Sequence, residues 1–455
     1  MEQNVLKNGR GIAAAGLAAA ICLTAWQGLA ATNTPWIKGV TDKDPLTYRC
    51  GEKIVFTLTL ERADALPSGL DIVWTRTGDD GRQETGKVPA DPSKPLKVET
   101  TLDRPGFVRL YAILRDSNGK VWAPKGVKVK NERAGGFIGA VFFDGGAGVD
   151  VDAIRQGVAE PADYDAFWAR HKATLAAVPM TDVKCTELPS RNPKVKIFIV
   201  SVPCAGPKPA TGYLLVPTTP GKYPAEITFH GYGASWSTRA TQAPDGTHAK
   251  GNRLTLALSA HGFELNREPA YYQAERKKVM SNGHGHAFDP VQNADPEKAY
   301  FCGMTYRVMR GLEYLKSRPE WNGRDLIVSG GSQGGLQSIW GAALVPGVTE
   351  ANIYIPWCCD MGGTSVGRNH GTWYIEWVPT LGYYDPVNMA RRIPKTCRVN
   401  VTRAGLGDYT CPPTGVAAFY NNLTCPKKIK WVQGATHVYY PPRAQTFSRE
   451  GDYPR

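Results

Sequence analysis

The sequence predicts an α/β fold, a mostly parallel sheet with helices on both faces, preceded by a small all-β sandwich of the immunoglobulin type. Three patterns support this prediction. Short segments that alternate apolar and polar residues occupy positions 33–133, and strands then alternate with helices up to about residue 445. Within that second region, Gly-x-Ser-x-Gly at 330–334 marks a sharp turn from a strand into a helix.

Residues 1–30 have the pattern of a secretory signal peptide. Lys7 and Arg10 precede an apolar, Ala-rich stretch over 11–26, and residues 28–30 are small enough for cleavage. A membrane anchor is the alternative, because the uncharged stretch is long enough to span a bilayer. The composition and the cleavage pattern favour removal. We therefore expect a secreted or periplasmic protein with no membrane segment in its mature form.

The sandwich is predicted over residues 33–133. Runs with a period of two, such as 54–60 and 107–114, are separated by turns rich in Gly, Asp and Ser. A Gly-rich stretch follows, and we predict a linker over 134–160, with a further strand over 137–143 as the alternative. A sugar-binding role, a partner-binding role and a spacer role are all compatible with the residues of the sandwich.

The second domain is predicted over residues 161–445. An amphipathic helix opens it at Pro161. A later helix is predicted to begin at Asp295, with Pro296 in its first turn and one apolar face, and to end before Pro319. The predicted strands are 195–200, 211–216, 225–229, 254–258, 352–355, 399–401 and 429–432.

The turn around Ser332 is the most informative feature of this domain. An apolar strand runs directly into it, and a helix of small residues follows over 336–344. Only Gly at positions 330 and 334 leaves room for the strand and the helix to pass this close. The pattern is typical of the nucleophile elbow of α/β-hydrolases, whereas a Gly-rich turn that contains Ser by chance is the alternative. We predict the α/β-hydrolase fold with Ser332 as the nucleophile.

A serine hydroxyl needs a base to take its proton, and the base needs a carboxylate to orient it. In this fold the chain order is Ser, then an acid, then His. Two strands downstream of Ser332 each end in a Gly-containing loop, the first with Asp408 and the second with His437. We therefore predict a catalytic triad of Ser332, Asp408 and His437. Asp360, which also follows a strand, is the alternative acid.

An oxyanion hole is predicted from the strand 225–229, which ends in His-Gly-Tyr-Gly. In hydrolases of this kind, the loop after that strand supplies one backbone N–H, and the residue after the nucleophile supplies the other. We assign these donors to Tyr232 and Gln333. A simple turn is the alternative for the first loop.

Three separated motifs resemble those of the acetyl xylan esterase and cephalosporin C deacetylase family, carbohydrate esterase family seven. They are Phe-His-Gly-Tyr at 229–232, Gly-Gly-Ser-Gln-Gly-Gly at 330–335, and the acid loop with its Cys-Pro-Pro at 405–413. The resemblance covers roughly residues 160–440. It implies hydrolysis of acetate esters on sugar hydroxyls through an acyl-enzyme, by the triad and the backbone donors named above and with no cofactor.

The chain also departs from that family. Many members carry Arg-Gly-Gln-Gly after the strand that follows the oxyanion loop, whereas residues 259–263 here are Ser-Ala-His-Gly-Phe. The departure leaves the predicted chemistry intact but weakens the substrate assignment. Other carboxylic esters, such as glucuronoyl, feruloyl or small esters, therefore remain alternatives. A peptidase and a non-catalytic glycan-binding protein are less favoured alternatives.

A long excursion over 357–390 is rich in Trp and Tyr. Aromatic faces stack on sugar rings, so we predict that Trp357, Trp373 and Trp377 line a substrate groove. Packing in the core is an equally good interpretation of the same residues. An acetylated carbohydrate is the expected partner, and the sequence leaves the oligomeric state open.

The chain is basic, with 54 Lys and Arg against 41 Asp and Glu and a net charge of +13. The positive charge is dispersed, and no nucleic-acid-binding module is present in the sequence, so we expect no nucleic-acid partner. No metal is expected either, because His284 and His286 lack a third and a fourth candidate ligand.

Nine cysteines remain after the predicted signal peptide. In an exported protein some of them are expected to form disulfides. Cys185 with Cys204 and Cys397 with Cys425 are the plausible pairs, although sequence alone does not determine connectivity. The odd number leaves at least one thiol free or intermolecular.

Overall fold

The structure, a computed structural model, describes residues 34–63, 66–132, 136–232 and 243–451. The predicted signal peptide lies outside these residues. Within them, no helix combines the length and the apolar character that crossing a bilayer requires.

Two small antiparallel sheets form the N-terminal sandwich. The strands are β1 (Trp36–Thr41), β2 (Ile54–Glu61), β3 (Asp71–Gly78), β4 (Glu84–Pro89), β5 (Leu96–Thr100), β6 (Gly106–Arg115), β7 (Lys130–Glu132), β8 (Gly136–Ile138) and β9 (Phe142–Val149). One sheet has the order β1-β2-β5, the other has the order β4-β3-β6-β9, and β7 pairs with β8. Burial alternates along β2, as its period of two predicts, and side chains from both sheets share one apolar core.

The predicted linker over 134–160 is wrong in its centre. Residues Phe142–Val149 form β9, which pairs antiparallel with β6 and is buried along its whole length. Its glycines serve close packing: a Cβ at Gly148 would lie 2.4 Å from Val151, and one at Gly145 would lie 2.3 Å from Gln433. The alternative strand over 137–143 is nearer to the structure, although its first two residues belong to the short strand β8 and only its last two to β9.

A ten-stranded mixed sheet forms the second domain. Its strands are β10 (Lys184–Leu188), β11 (Val195–Val202), β12 (Ala210–Pro217), β13 (Tyr223–Phe229), β14 (Leu254–Leu258), β15 (Trp321–Ser332), β16 (Glu350–Pro356), β17 (Arg398–Gly405), β18 (Lys427–Val432) and β19 (Thr446–Gly451). They are ordered β10-β11-β12-β14-β13-β15-β16-β17-β18-β19. The run from β14 to β18 is parallel, and antiparallel strands complete both edges.

Seven α-helices accompany the sheet within the described residues. They are α1 (Tyr164–Ala176), α2 (Pro269–Val279), α3 (Pro290–Asn293), α4 (Tyr300–Ser317), α5 (Gln333–Leu344), α6 (Pro386–Met389) and α7 (Pro413–Asn422). Apolar residues of α4 and α5 pack with the central strands in the largest core of the molecule. Each predicted strand of this domain is present, as is the helix after the nucleophile.

Two predicted boundaries are wrong. Helix α4 begins at Tyr300 rather than at Asp295, because the Asp295 carbonyl accepts from the N–H groups of Lys298 and Ala299 in a separate turn. The second domain continues past residue 445, since β19 adds an antiparallel edge strand beside β18.

Neither proposed disulfide is formed. In the described part of the chain all nine cysteines carry free thiols. Cys397 and Cys425 are nevertheless both buried, and they precede the neighbouring strands β17 and β18 at equivalent positions.

Candidate functional site

The predicted nucleophile lies on a strained turn. Ser332 ends β15 and caps α5 with φ 57° and ψ −121°, a region that non-Gly residues rarely occupy. This conformation reverses the chain from strand into helix within one residue. The observed backbone is that of the predicted nucleophile elbow.

The crowding around the elbow explains its glycines. A Cβ at Gly330 would lie 2.5 Å from the carbonyl of Gly334, and a Cβ at Gly334 would lie 2.3 Å from the carbonyl oxygen of Phe229. These neighbours are backbone atoms, which cannot move aside without breaking the pairing of β13 with β15.

Gly334→Ala is therefore expected to lower the free energy of unfolding by about 3 kcal/mol or more. The matched control is Gly341→Ala in the same helix, where the nearest neighbours of the added Cβ would be side-chain methyl groups of Leu312, Val328 and Val308 at 3.0–3.4 Å rather than backbone. The control is expected to be neutral within about 1 kcal/mol. Urea denaturation of both variants checks this prediction, and equal midpoints would contradict it.

The predicted acid and base are in contact. Asp408 Oδ2 accepts a hydrogen bond from His437 Nδ1 at 3.0 Å. The backbone N–H groups of Thr410 and Cys411 both donate to Asp408 Oδ1 at 3.0 Å, and Asp408 is 2% exposed. Because the carboxylate accepts at Nδ1, the imidazole keeps its proton there and leaves Nε2 unprotonated, as a general base requires.

Backbone contacts join the loops that carry the acid and the base. The N–H of Gly407 donates to the carbonyl of Ala435 at 3.0 Å. A Cβ at Gly405 would lie 2.4 Å from that same oxygen, so only glycine allows the two loops to approach this closely. The Gly-containing loops seen in the sequence are thus required by the contact between Asp408 and His437.

Ser332, Asp408 and His437 follow the carboxyl ends of β15, β17 and β18, at one edge of the parallel sheet. In the described part of the chain no hydrogen bond joins the Ser332 hydroxyl to His437, so the pairing of nucleophile and base stays a prediction. Hydrogen bonds between a nucleophile and its base are often long in ligand-free enzymes.

Asp360, the alternative acid, forms no hydrogen bond with His437 among the described residues; it accepts from the Gly157 N–H at 2.7 Å and pairs with Arg368.

The predicted oxyanion residues lie on either side of the elbow. A Cβ at Gly231 would lie 3.9 Å from the Cβ of Ser332, which places Tyr232 beside the nucleophile. Gln333 is the first residue of α5, so its N–H is one of the free donors at a helix N-terminus. Their role as oxyanion donors stays a prediction.

His286 links these two residues, a role that no local pattern of the sequence indicates. Its Nε2 lies 2.9 Å from Gln333 Oε1, and because an amide oxygen only accepts, the imidazole donates. Its ring stacks on the Tyr232 ring with centroids 3.9 Å apart and planes 7° apart. The Tyr232 hydroxyl also donates to the His286 carbonyl at 3.1 Å. One buried side chain therefore positions both predicted oxyanion residues.

Burial lowers the pKa of His286 from its usual 6.5 to about 3. When folding lowers the pKa of a base, the unfolded state binds the proton more readily than the folded state does. The contribution of this group to stability is therefore complete above about pH 6.5 and is lost as the pH falls towards 3. The melting temperature of the wild type is therefore expected to fall more steeply between pH 7 and 4 than that of His286→Leu. His284→Gln changes a nearby exposed histidine and is the control, expected to follow the wild type. Parallel curves for all three proteins would contradict the prediction.

The three predicted groove tryptophans lie in different surroundings. Trp357 is 2% exposed and donates through Nε1 to the Trp373 carbonyl at 3.2 Å, so its prediction as a sugar-stacking residue is wrong. Trp373 is half-buried and meets the Tyr232 ring edge-on with centroids 5.1 Å apart. Trp377 is half-buried and packs against Gly362 and Gly382. A substrate contact for Trp373 and Trp377 stays a prediction.

Two groups of metal-ligating side chains have donor atoms within 4.8 Å of one another among the described residues. One consists of Asp408, Cys411 and His437, and so belongs to the predicted acid and base. The other consists of His171, Glu297 and Cys302. In that group both imidazole nitrogens already have oxygen partners, at 2.6 Å to Tyr306 and at 3.1 Å to Glu297.

Known proteins resemble this chain over part of its length. It is 29% identical over 297 residues to the acetyl esterase Axe7A of Xylanibacter ruminicola, a match that covers 62% of this chain and 64% of that protein. The matched part is therefore less than two thirds of the length of that relative.

Solved structures show the same architecture. An acetyl xylan esterase from Paenibacillus sp. R4 superposes with a TM-score of 0.53 at 24% identity, over 63% of this chain and 93% of that one. Acetyl xylan esterase 1 from Thermoanaerobacterium sp. superposes with a TM-score of 0.52 at 23% identity, over 64% and 93%. These likenesses concern the fold, and they confirm the predicted fold class.

The family model described as acetyl xylan esterase (AXE1) matches residues 150–377 and 365–448. This match covers more than half of the chain and includes Ser332, Asp408 and His437. The chain therefore belongs to the acetyl xylan esterase family.

Proposed function

We propose that this protein is a serine esterase that removes acetyl groups from acetylated sugars or xylan. The observation that carries the proposal is the hydrogen bond from His437 Nδ1 to buried Asp408, at the same sheet edge as a serine held on a strained elbow. Membership of the acetyl xylan esterase family supports the choice of acetyl esters. The acetyl esterase activity named for the Xylanibacter relative supports it as well.

The proposed reaction is a two-step acyl transfer. His437 takes the proton of Ser332 as the hydroxyl oxygen attacks the acetyl carbonyl, and Asp408 stabilises the imidazolium that forms. The N–H groups of Tyr232 and Gln333 receive the oxyanion, with about 3 kcal/mol of transition-state stabilisation expected from each donor. His437 then protonates the leaving sugar alcohol, and water attacks the acetyl-enzyme to release acetate.

The proposed setting is outside the cytoplasm, in a secreted or periplasmic form. The apolar, Ala-rich N-terminal stretch with two basic residues before it supports this proposal. Expression of the full chain followed by N-terminal sequencing of the mature protein tests it. Cleavage near residue 30 is expected, and an intact N-terminus would contradict it.

Acetate release from a panel of substrates tests the activity. The panel holds acetylated xylan, acetylated xylo-oligosaccharides, cephalosporin C and glucose pentaacetate. Release from the acetylated carbohydrates is expected, and equal activity on all substrates would indicate a general small-ester hydrolase. Absence of acetate from every substrate, with intact protein, would contradict the proposal.

A carboxylic-ester hydrolase of different acyl specificity is the second candidate. The segment Ser-Ala-His-Gly-Phe at 259–263 favours it, since this segment departs from the pattern that many members of the family carry. In the structure His261 is 1% exposed and lies 2.7 Å from the Tyr300 hydroxyl through Nδ1. Methyl glucuronoyl and methyl ferulate substrates, assayed beside the acetyl panel, decide between the two candidates.

A further inference from the structure

The N-terminal sandwich contacts the loop of the predicted acid directly. The family match begins only at residue 150, after β9. Nevertheless, a Cβ at Gly407 would lie 1.9 Å from the carbonyl oxygen of Asp144. The backbone of the acid loop is therefore in direct contact with the backbone of β9. A Cβ at Gly146 would similarly lie 3.0 Å from the carbonyl oxygen of Leu406. The residues adjoining Asp408 are thus packed against a domain outside the family match.

An ion pair within the sandwich, between half-buried Arg109 and buried Asp144, supports the same loop. Arg109 on β6 donates through Nε and Nη2 to the Asp144 carboxylate at 2.8 and 2.6 Å. The Arg109 guanidinium also lies 4.4 Å from the centroid of the Tyr409 ring, next to Asp408 in the chain. Burial raises the pKa of the Asp144 carboxyl, the Arg109 charge opposes this rise, and the nearby Asp408 adds to it. Arg109 therefore contacts both β9, through Asp144, and the acid loop, through Tyr409.

The loop of the predicted base is tied to β9 as well. Gln433 follows β18 and precedes His437 by four residues. Its Oε1 accepts from the Gly146 N–H at 3.0 Å, and its Nε2 donates to the Gly146 carbonyl at 2.9 Å. Gln433 is 3% exposed, so the amide pair is shielded from water. A buried pair of this kind holds its two segments in one register.

A third contact comes from the turn after β3. Asp79 accepts from the backbone N–H of Asn369 at 2.8 Å, and it also accepts from the Thr414 hydroxyl of α7. Asp79 is 6% exposed. These three contacts are among those that join the sandwich to the second domain, and the first two adjoin the residues predicted to carry the chemistry.

We propose that the sandwich is a positioning part of the active site, in which Arg109 and Gln433 hold the loops of Asp408 and His437 in the geometry that acyl transfer needs. Neither residue touches the substrate. The inference rests on the proposed function and deepens it. Displacement of a catalytic group by about 1 Å can reduce the rate roughly a hundredfold, even when the substitution is remote.

Arg109→Met and Gln433→Met test the proposal, assayed with nitrophenyl acetate, an ester too small to need a glycan-binding surface. Both variants are expected to lose roughly tenfold to a hundredfold in kcat with KM changed less than about threefold. Arg109→Lys keeps the charge but loses the two-pronged contact, and it provides the test if the methionine variant does not fold. Active sites are counted by titration with a fluorophosphonate, so that only folded enzyme enters kcat.

Arg76→Met is the matched control. Arg76 is another ion-paired arginine of the sandwich; it is 1% exposed, more buried than Arg109, and pairs with Asp80 at 2.6 Å. Among the described residues, the hydrogen-bond partners of Arg76 all lie within the sandwich. The control is expected to lower the melting temperature while kcat per active site stays within about twofold of the wild type.

The outcomes separate positioning from other roles of the sandwich. Unchanged kcat in folded Arg109 and Gln433 variants would overturn the inference, and so would a loss confined to polymeric xylan, which indicates glycan binding. An equal loss of kcat in Arg76→Met would also overturn it. If the wild type hydrolyses no acetate ester, the proposed function fails instead. The rate of Ser332 labelling by the fluorophosphonate then still tests positioning, with slower labelling expected in both interface variants.

Discussion

Ser332→Ala is expected to lower kcat for nitrophenyl acetate by about six orders of magnitude. The variant removes the only atom that can carry the acetyl group in the proposed mechanism. Alanine at the elbow keeps the strained backbone and adds no bulk, so the melting temperature is expected to stay close to that of the wild type. The burst of nitrophenol that marks acyl-enzyme formation is expected to disappear as well.

Ser329→Ala is the control for that experiment. Ser329 lies on the same strand, three residues before the nucleophile, and donates to Glu226 Oε1 at 2.6 Å. Loss of this hydrogen bond is expected to lower the free energy of unfolding by about 1 kcal/mol and to leave kcat nearly unchanged. If Ser332→Ala kept more than about 1% of the wild-type rate after repurification, Ser332 would not be the nucleophile.

Asp408→Asn is expected to lower kcat by about four orders of magnitude. An asparagine amide that turned its NH2 towards His437 would stabilise the tautomer with the proton on Nε2, which cannot take a proton from Ser332. The backbone donors of Thr410 and Cys411 favour an oxygen on their side, which turns the NH2 towards the imidazole. KM is expected to change little, because Asp408 is 2% exposed and its carboxylate already bonds His437 and two backbone N–H groups.

Asp360→Asn is the matched control, since Asp360 also follows a strand of the sheet and is 7% exposed. Its carboxylate bonds Gly157 and Arg368, so the substitution is expected to weaken the contacts of the segment around Asp360. The change in kcat is expected to be less than about tenfold. Steady-state kinetics of both variants make the comparison. A large loss in Asp360→Asn beside a small one in Asp408→Asn would reverse the assignment of the acid.

The candidate site could be located largely from the sequence because each of its parts has a strong local signature. Parallel strands present their carboxyl ends at one edge of a sheet, so residues that follow β15, β17 and β18 converge without any knowledge of the loops. The glycines on both sides of Ser332 mark the elbow, because no other residue tolerates backbone at about 2.5 Å from its Cβ.

Other features had no such signature. In the sequence the glycines of β9 indicate a linker, whereas in the structure they allow β9 to pack closely against its neighbours. The partner of Gly146 is Gln433, 287 positions away in the chain, and no local pattern announces a contact of that length. The sequence indicates His286 only as a possible metal ligand. Its partners, Tyr232 in a loop and Gln333 at the start of α5, are distant in the chain and meet it only in the folded protein.

The sequence by itself determined the order of strands and helices, the elbow at Ser332 and the identity of the candidate acid and base, because these depend on periodicity, turn chemistry and chain order. Only the tertiary structure decided which aromatic side chains are buried, which side chain links the two predicted oxyanion residues, and which contacts join the sandwich to the second domain. Those features depend on contacts between distant segments. Their free energy comes from packing and from buried hydrogen bonds, and neither is encoded in any short stretch of the chain.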